Sequence, residues 1–281
     1  MMKLIKQIIL VTISIISFSL EADNRVFDVD VIGKGAPVLL FPGFTCTGEV
    51  WDELVEEISK TNQCHIFTFA GFGNVPAVEK PWLSKIKQGL SLYIAENKLE
   101  TATIIGHSLG GTLGMWLASE EGATYKKVIV VDALPSIGAL MMPNFNSENI
   151  VYDNPYNQRI IDMDETNFEI MANQMASGMV LKKNKQQQIK DWIIMSDRET
   201  YVYGYTDLLK LDLRNTLAKV TVPVAILAAT QPYGLDMVKK NYEDQYQHLK
   251  TYTINYAEAS AHFVMFDQPE WLLKQIQKEL E

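Results

Sequence analysis

Residues 103–111, which read Thr-Ile-Ile-Gly-His-Ser-Leu-Gly-Gly, limit the possible folds of this chain more than any other segment. A short apolar run typical of a buried strand leads directly into Gly-x-Ser-x-Gly, and a helix-like segment rich in Ala, Leu and Gly follows. A serine on so sharp a turn must adopt a strained backbone, and Gly106 and Gly110 remove side chains that would collide across the turn. This context predicts that Ser108 is a catalytic nucleophile.

Short apolar runs alternate with longer amphipathic segments along the rest of the 281 residues. This alternation is typical of an α/β protein whose mostly parallel central sheet has helices on both faces. The predicted strands are 27–32, 38–41, 65–69, 103–105, 128–131, 224–228 and 251–255. The clearest predicted helices are 51–59, 81–96, 109–120, 237–249 and 269–280.

The alternation stops between about residues 141 and 212, where no strand-like run occurs and the pattern is helical. A helical insertion of this length after a strand typically covers the ligand site at the carboxyl edge of the sheet. We therefore interpret residues 23–281 as one domain with a helical cap at about 141–212. The methionines of the cap have two equally supported interpretations. They pack in an ordinary core, or they form an adaptable apolar lining for a substrate.

With this motif and this alternation, the chain resembles the α/β-hydrolase superfamily, and in particular its capped, esterase-like members that carry Gly-His-Ser-x-Gly-Gly. The resemblance extends from residue 26 to residue 280 and implies the α/β-hydrolase fold. It also implies an oxyanion hole, in which the backbone N–H groups of Leu109 and Phe44 stabilise the charge of a tetrahedral intermediate. Family members usually carry His-Gly where this chain has Pro42 and Gly43, immediately before Phe44.

The resemblance further implies that His262 is the general base, since it follows the last predicted strand and precedes the final helix. The other histidines are less well placed, because His65 begins a strand, His107 adjoins the nucleophile and His248 lies on a polar helix. Asp267, close to His262 in the sequence, is interpreted as the N-terminal cap of the final helix.

Two residues remain open as the acid that would orient the imidazole of His262. Asp132 ends the predicted strand 128–131, whereas Asp236 lies in the loop after strand 224–228. We favour Asp132, because the position that hydrolases of this fold use in the later loop falls on residues that cannot serve. Asp236 could instead cap the helix that follows it.

Composition disfavours several other classes of function. Lys and Arg number 25 against 34 Asp and Glu, and the resulting net charge of −9 disfavours binding to nucleic acid or anionic membranes. The sequence contains no His-Glu-x-x-His motif, no Cys/His cluster at metal-ligand spacing and no dinucleotide or P-loop signature, so we expect no metal and no cofactor. Cys46 and Cys64 are predicted to remain free, because parallel strands would place them at opposite ends of the sheet.

The N-terminus is predicted to be an export signal. Lys3 and Lys6 precede an apolar stretch at residues 8–20, which is shorter than the ~20 residues that cross a bilayer. We interpret residues 1–22 as a signal peptide whose cleavage site is left open. The expected product is a secreted or periplasmic protein without a stable membrane anchor after processing.

The leading functional prediction is a serine hydrolase that cleaves an ester-like bond in a small molecule through a Ser-His-Asp triad and an acyl-enzyme. The Met, Tyr and Phe residues of the cap favour an apolar acyl group. Two alternatives remain open. One is a ligand-binding or receptor protein of the same fold with little turnover, and the other is an aminopeptidase in which Asp162, Asp164 and Glu165 bind the substrate amine.

Overall fold

The computed structural model describes residues 25–281, so the predicted signal peptide at residues 1–22 lies outside the described residues. Seven strands of this region form one sheet. They are β1 (Phe27–Gly33), β2 (Ala36–Phe41), β3 (Asn62–Phe69), β4 (Thr103–His107), β5 (Lys127–Val131), β6 (Val224–Ala229) and β7 (Tyr252–Ala257). Their order is β1-β3-β2-β4-β5-β6-β7, and β1 at the edge is antiparallel to β3 while all other neighbours are parallel.

Eleven α-helices lie within residues 25–281. They are α1 (Asp52–Ile58), α2 (Trp82–Glu96), α3 (Leu109–Ala118), α4 (Ile137–Met141), α5 (Pro155–Ile161), α6 (Glu165–Met179), α7 (Lys183–Met195), α8 (Arg198–Lys210), α9 (Leu235–Tyr246), α10 (Val264–Asp267) and α11 (Pro269–Leu280). The seven strands and the five clearest helices predicted from the sequence are all present, with ends shifted by a few residues. In the part of the chain that the structure describes, no helix is long and apolar enough to span a membrane.

Successive residues of the central strands point to opposite faces of the sheet, and helices cover both faces. Leu39, on β2, packs in a core with α2, α3 and α9, whereas its neighbour Leu40 packs in a second core with α1 and α11. Burial on both faces explains why the central strands read as continuous apolar runs. Cys46 and Cys64 lie in the second core as free thiols, as predicted.

The chain between β5 and β6 contributes helices α4 to α8 and no strand. The first of these helices begins at Ile137, slightly before the expected boundary of the cap. Helix α8 lies against the loop that follows β2, because a Cβ on Gly204 would be only 3.1 Å from the rings of Phe44 and Trp82. The cap therefore covers the carboxyl edge of the sheet next to Phe44.

Replacing Gly110 with alanine should destabilise this arrangement. An added Cβ at Gly110 would lie 2.2 Å from the carbonyl oxygen of Phe41, so α3 and the end of β2 would have to separate. We expect Gly110→Ala to lower the free energy of unfolding in urea by about 1–3 kcal/mol. Gly178→Ala is the matched control: Gly178 is exposed on α6 with open space around it, and alanine there should stabilise by about 0.5–1 kcal/mol. Equal stability of the wild type and Gly110→Ala would contradict the close packing described here.

Candidate active site

Ser108 lies at the turn between β4 and α3 in a conformation that few residues adopt. Its φ of 52° and ψ of −120° fall outside the regions open to ordinary side chains, so the backbone is strained there. The N–H of Ser108 donates to the carbonyl of Val131 at the end of β5, 2.9 Å away, which ties the turn to the neighbouring strand. The half-buried serine is thereby held at the carboxyl edge of the sheet.

Asp132, the first residue after β5, contacts His262 at this same edge. Asp132 Oδ2 lies 2.7 Å from His262 Nδ1. The other carboxylate oxygen, Oδ1, accepts hydrogen bonds from the N–H of Ala229 and the hydroxyl of Tyr242, both at 2.9 Å. Because an ionised carboxylate only accepts, Nδ1 carries the proton and Nε2 is left as an acceptor, which is the form that a general base requires.

Tyr242 keeps Asp132 in place and was not singled out from the sequence. It is buried on α9, and this burial, together with the charge of Asp132, holds the pKa of the phenol well above its ordinary value. The hydroxyl therefore stays protonated and remains a donor. Its spacing from Tyr246, four residues on along the buried face of α9, is the one signal in the sequence that could have drawn attention to it.

Asp236 lies away from His262. It is an exposed residue in the first turn of α9, the helix whose buried face carries Tyr242. Of the two acids that the sequence left open, the structure brings Asp132 to the imidazole and leaves Asp236 in solvent.

The N–H groups of Leu109 and Phe44 donate no hydrogen bond within residues 25–281. Leu109 is the first residue of α3, so its N–H points out of the helix end, where the helix dipole adds positive potential. Phe44 follows β2, which pairs with β4 in the sheet. Both amides that the sequence predicted as oxyanion donors are therefore available to an acceptor at this edge.

Aromatic rings hold Phe44 in position. Its ring centroid lies 5.0 Å from that of Phe72 and 5.9 Å from that of Trp82, on the core side of the loop. From the cap, Tyr201 and Tyr205 on α8 contribute rings at 5.9 and 5.7 Å. The predicted oxyanion loop and the cap thus share one aromatic cluster.

His107 connects the serine turn to the loop that carries His262. Its Nε2 donates to the carbonyl oxygen of His262, 3.0 Å away, and the centroids of the two imidazole rings are 4.6 Å apart. The hydroxyl of Ser108 itself makes no hydrogen bond within residues 25–281. Catalytic hydrogen bonds of this kind commonly tighten only when the substrate is bound.

The side chain of His107 is neutral. Burial, followed by the proximity of His262, lowers the pKa of His107 well below its ordinary value. Its ring also packs on the predicted oxyanion loop, since a Cβ on Gly43 would lie 2.8 Å from His107 Nδ1. From the sequence His107 was only a position beside the nucleophile, whereas the structure places it between both loops of the site.

The interpretation of Asp267 as the N-terminal cap of the final helix is wrong. Asp267 ends α10, and Gln268 occupies the cap position of α11. The Asp267 carboxylate instead accepts hydrogen bonds from the backbone N–H groups of Ala261, Leu181 and Lys182. The local sequence suits a cap, but the amides of Leu181 and Lys182, which are distant in the sequence, and that of Ala261 bind the carboxylate instead.

The three acids considered for binding a substrate amine lie near the junction of α5 and α6, where all are exposed. Asp164 caps α6 by accepting from the N–H of Asn167, and Asp162 accepts from the side chain of Gln158. Glu165 begins α6. Among residues 25–281, no contact directs any of these carboxylates toward Ser108. Within residues 25–281, no group of three or more His, Cys, Asp or Glu is arranged to hold a metal ion.

A mostly parallel sheet covered on both faces, with a strained serine and a carboxylate-bonded histidine at its carboxyl edge, defines an α/β-fold hydrolase. Residues 38–275 match the model of the alpha/beta hydrolase family, and the chain belongs to this family. The predicted fold and the predicted class of enzyme are thereby confirmed.

Several known proteins are similar to this chain. The biotin biosynthesis bifunctional protein of Cellvibrio japonicus is 23% identical over 86% of this chain, which spans about half (47%) of that protein's length. The pimeloyl-[acyl-carrier protein] methyl ester esterase of Vibrio atlanticus is 22% identical over 69% of this chain and 75% of its own. Among solved structures, the enol-lactonase from Burkholderia xenovorans superimposes with a TM-score of 0.73 at 16% identity, covering 90% of this chain and 96% of that one. The last two are named for hydrolysing an ester, as a methyl ester esterase and an enol-lactonase.

Replacing Asp132 with asparagine tests the acid. The N–H of Ala229 and the hydroxyl of Tyr242 would retain the asparagine oxygen, so its NH₂ group would face His262 Nδ1 and force the proton onto Nε2. We expect kcat for ester hydrolysis to fall by about 10⁴-fold, as for the same change in another triad. Asp236→Asn, the matched control on an exposed acid, should leave kcat unchanged. The opposite ranking of the two variants would show that the assignment of the acid is wrong.

Proposed function

We propose that this chain is a serine hydrolase of the carboxylesterase type, which cleaves an ester-like bond through Ser108, His262 and Asp132. The observation that carries the proposal is the 2.7 Å contact between Asp132 Oδ2 and His262 Nδ1 at the sheet edge where the strained serine lies. The methyl ester esterase among the relatives supports the reaction class.

The proposed reaction runs in two stages. His262 Nε2 takes the proton of the Ser108 hydroxyl as its oxygen attacks the ester carbonyl, and Asp132 stabilises the imidazolium that forms. The amides of Phe44 and Leu109 bind the oxyanion. The imidazolium gives its proton to the departing alcohol, and a water activated by the same histidine then releases the acid from the acyl-enzyme.

The cap side of the site favours a small-molecule ester with an apolar acyl group. Tyr201 and Tyr205 lie one turn apart on α8 and both face Phe44. Their hydroxyls contact the sulfur atoms of Met175, at 3.1 Å, and Met141, at 3.6 Å. Aromatic rings and flexible thioethers together form linings that adapt to apolar groups.

We also propose that the mature protein acts outside the cytoplasm. The support is the sequence alone, with Lys3 and Lys6 ahead of the apolar stretch at residues 8–20.

Ser108→Ala should abolish both turnover and covalent labelling. We expect the wild type to hydrolyse p-nitrophenyl esters of graded acyl length and to react with a fluorophosphonate probe. Loss of the nucleophile should lower kcat by roughly 10⁶-fold, the effect of such a change in another serine hydrolase. The profile across acyl lengths reports the preferred acyl group.

Ser177→Ala provides the control for labelling, since Ser177 lies exposed on α6 and its hydroxyl donates to the carbonyl of Gln174. This variant should label and turn over as the wild type does. A folded wild type that neither labels nor turns over any of these esters would favour a ligand-binding protein instead.

Export predicts removal of the N-terminal segment. We expect the full chain, expressed in a Gram-negative host, to appear in the periplasm or medium. Its mass should be lower than that of the full chain by the mass of an N-terminal segment of about 15–30 residues. Intact-mass measurement and fractionation of the cells provide the readout, and a chain that begins at Asp23 provides the cytoplasmic control. Purified protein that retains residues 1–22 and stays in the cytoplasm would contradict this localisation.

A further inference from the structure

The carboxylate of Asp267 is a buried acceptor that the proposed reaction does not use. Asp267 is 8% exposed. Its Oδ2 accepts from the N–H of Ala261 at 2.9 Å and from that of Leu181 at 3.1 Å, and its Oδ1 accepts from Leu181 at 2.9 Å and from Lys182 at 3.0 Å. A buried carboxylate is costly unless its lone pairs are satisfied, and here backbone amides satisfy them.

These amides belong to two different parts of the molecule. Leu181 and Lys182 form the junction between α6 and α7 in the cap, whereas Ala261 immediately precedes His262. A second bond runs in parallel, from the N–H of Phe263 to the carbonyl of Met179 at the end of α6, 3.1 Å away. The cap is therefore bonded to the chain on both sides of His262.

The same short loop is also held from the core. His107 Nε2 donates to the carbonyl of His262, so Asp267 fixes the Ser260–Ala261 peptide group, one residue ahead of His262, and His107 fixes the peptide group that directly follows His262. These bonds restrict the backbone on either side of His262, from which the imidazole extends. A displacement of about 1 Å in a catalytic group can cost roughly 100-fold in rate.

We propose that Asp267 is a positioning residue that couples the α6–α7 junction of the cap to His262, so that the seating of the cap sets the alignment of the imidazole with Asp132 and Ser108. This inference rests on the proposed function, because it assigns the means by which the proposed base is held. It makes the cap junction part of the catalytic geometry as well as a cover for the substrate.

Asp267→Asn tests the coupling. Asparagine keeps the size of the side chain but offers one acceptor oxygen, and its NH₂ group would face a backbone N–H, so at least one of the two sides of the link must open. We expect kcat to fall by about 10–100-fold with little change in KM. We also expect the proton resonance of His262 Nδ1–H, shifted downfield by its hydrogen bond to Asp132, to broaden or move.

Asp207→Asn is the matched control. The Asp207 carboxylate accepts from the N–H of Leu83 at 3.0 Å and from the hydroxyl of Tyr152, so it also joins the cap to the core, but through α8 and α2. This variant should lose stability to a similar degree in urea. Its kcat and the His262 Nδ1–H resonance should match those of the wild type.

Lys182→Pro weakens the cap side of the link without changing the carboxylate, since the N–H of Leu181 still donates to Asp267. Lys182 has a φ of −71°, which proline adopts. The substitution removes the N–H of Lys182 and with it one of the hydrogen bonds that the Asp267 carboxylate accepts. We expect kcat to fall, but by less than in Asp267→Asn. If Asp267→Asn does not fold, Lys182→Pro serves as the test of the coupling between the cap and His262.

Two outcomes separate the two proposals. A wild type without turnover on any ester would overturn the proposed function itself. A wild type that turns over, with Asp267→Asn or Lys182→Pro retaining both the full kcat and the His262 resonance, would overturn the coupling and leave the hydrolase intact.

Discussion

The strained backbone of Ser108 is the constraint on which the rest of the site depends. A serine held at φ 52° persists only because its surroundings leave no alternative: its N–H is bonded to Val131, and Gly106 and Gly110 approach so closely that a Cβ on Gly106 would lie 2.2 Å from the carbonyl oxygen of Gly110. Because β4 lies between β2 and β5, the same turn gathers the ends of both neighbours. One neighbour supplies Phe44 and the other supplies Asp132.

Much of this arrangement could be predicted from the sequence, because the signals are local. The central strands read as apolar runs, and the elbow is specified by Gly106, Ser108 and Gly110 within five residues. The sequence favoured Asp132 over Asp236 but could not settle the choice in this way, since both residues lie after buried strands. It depends on where α9 packs, which buries Tyr242 against Asp132 and leaves Asp236 in solvent.

Asp267 shows the limit of local rules most clearly. Asp-x-Pro at the start of a helix is a good capping sequence, and the rule assumes that no stronger partners compete for the carboxylate. Amides of Leu181 and Lys182, 86 and 85 residues away, are such partners, and they become visible only once the cap is folded onto the core. The sequence does show the cap itself, because the alternation of strand-like and helical segments stops there. It does not show which face of the cap lies against Phe44.

The neutral state of His107 matters for the charge that the proposed reaction creates. Proton transfer from Ser108 turns His262 into an imidazolium, with its ring centroid 4.6 Å from that of His107. Two unit charges about 4 Å apart repel by roughly 4 kcal/mol at an effective dielectric constant of about 20, and such a repulsion from a charged His107 would oppose the protonation of His262. Burial lowers the pKa of His107 and so removes this repulsion, while its remaining proton, on Nε2, holds the carbonyl of His262. The buried histidine can therefore orient the base without opposing its protonation.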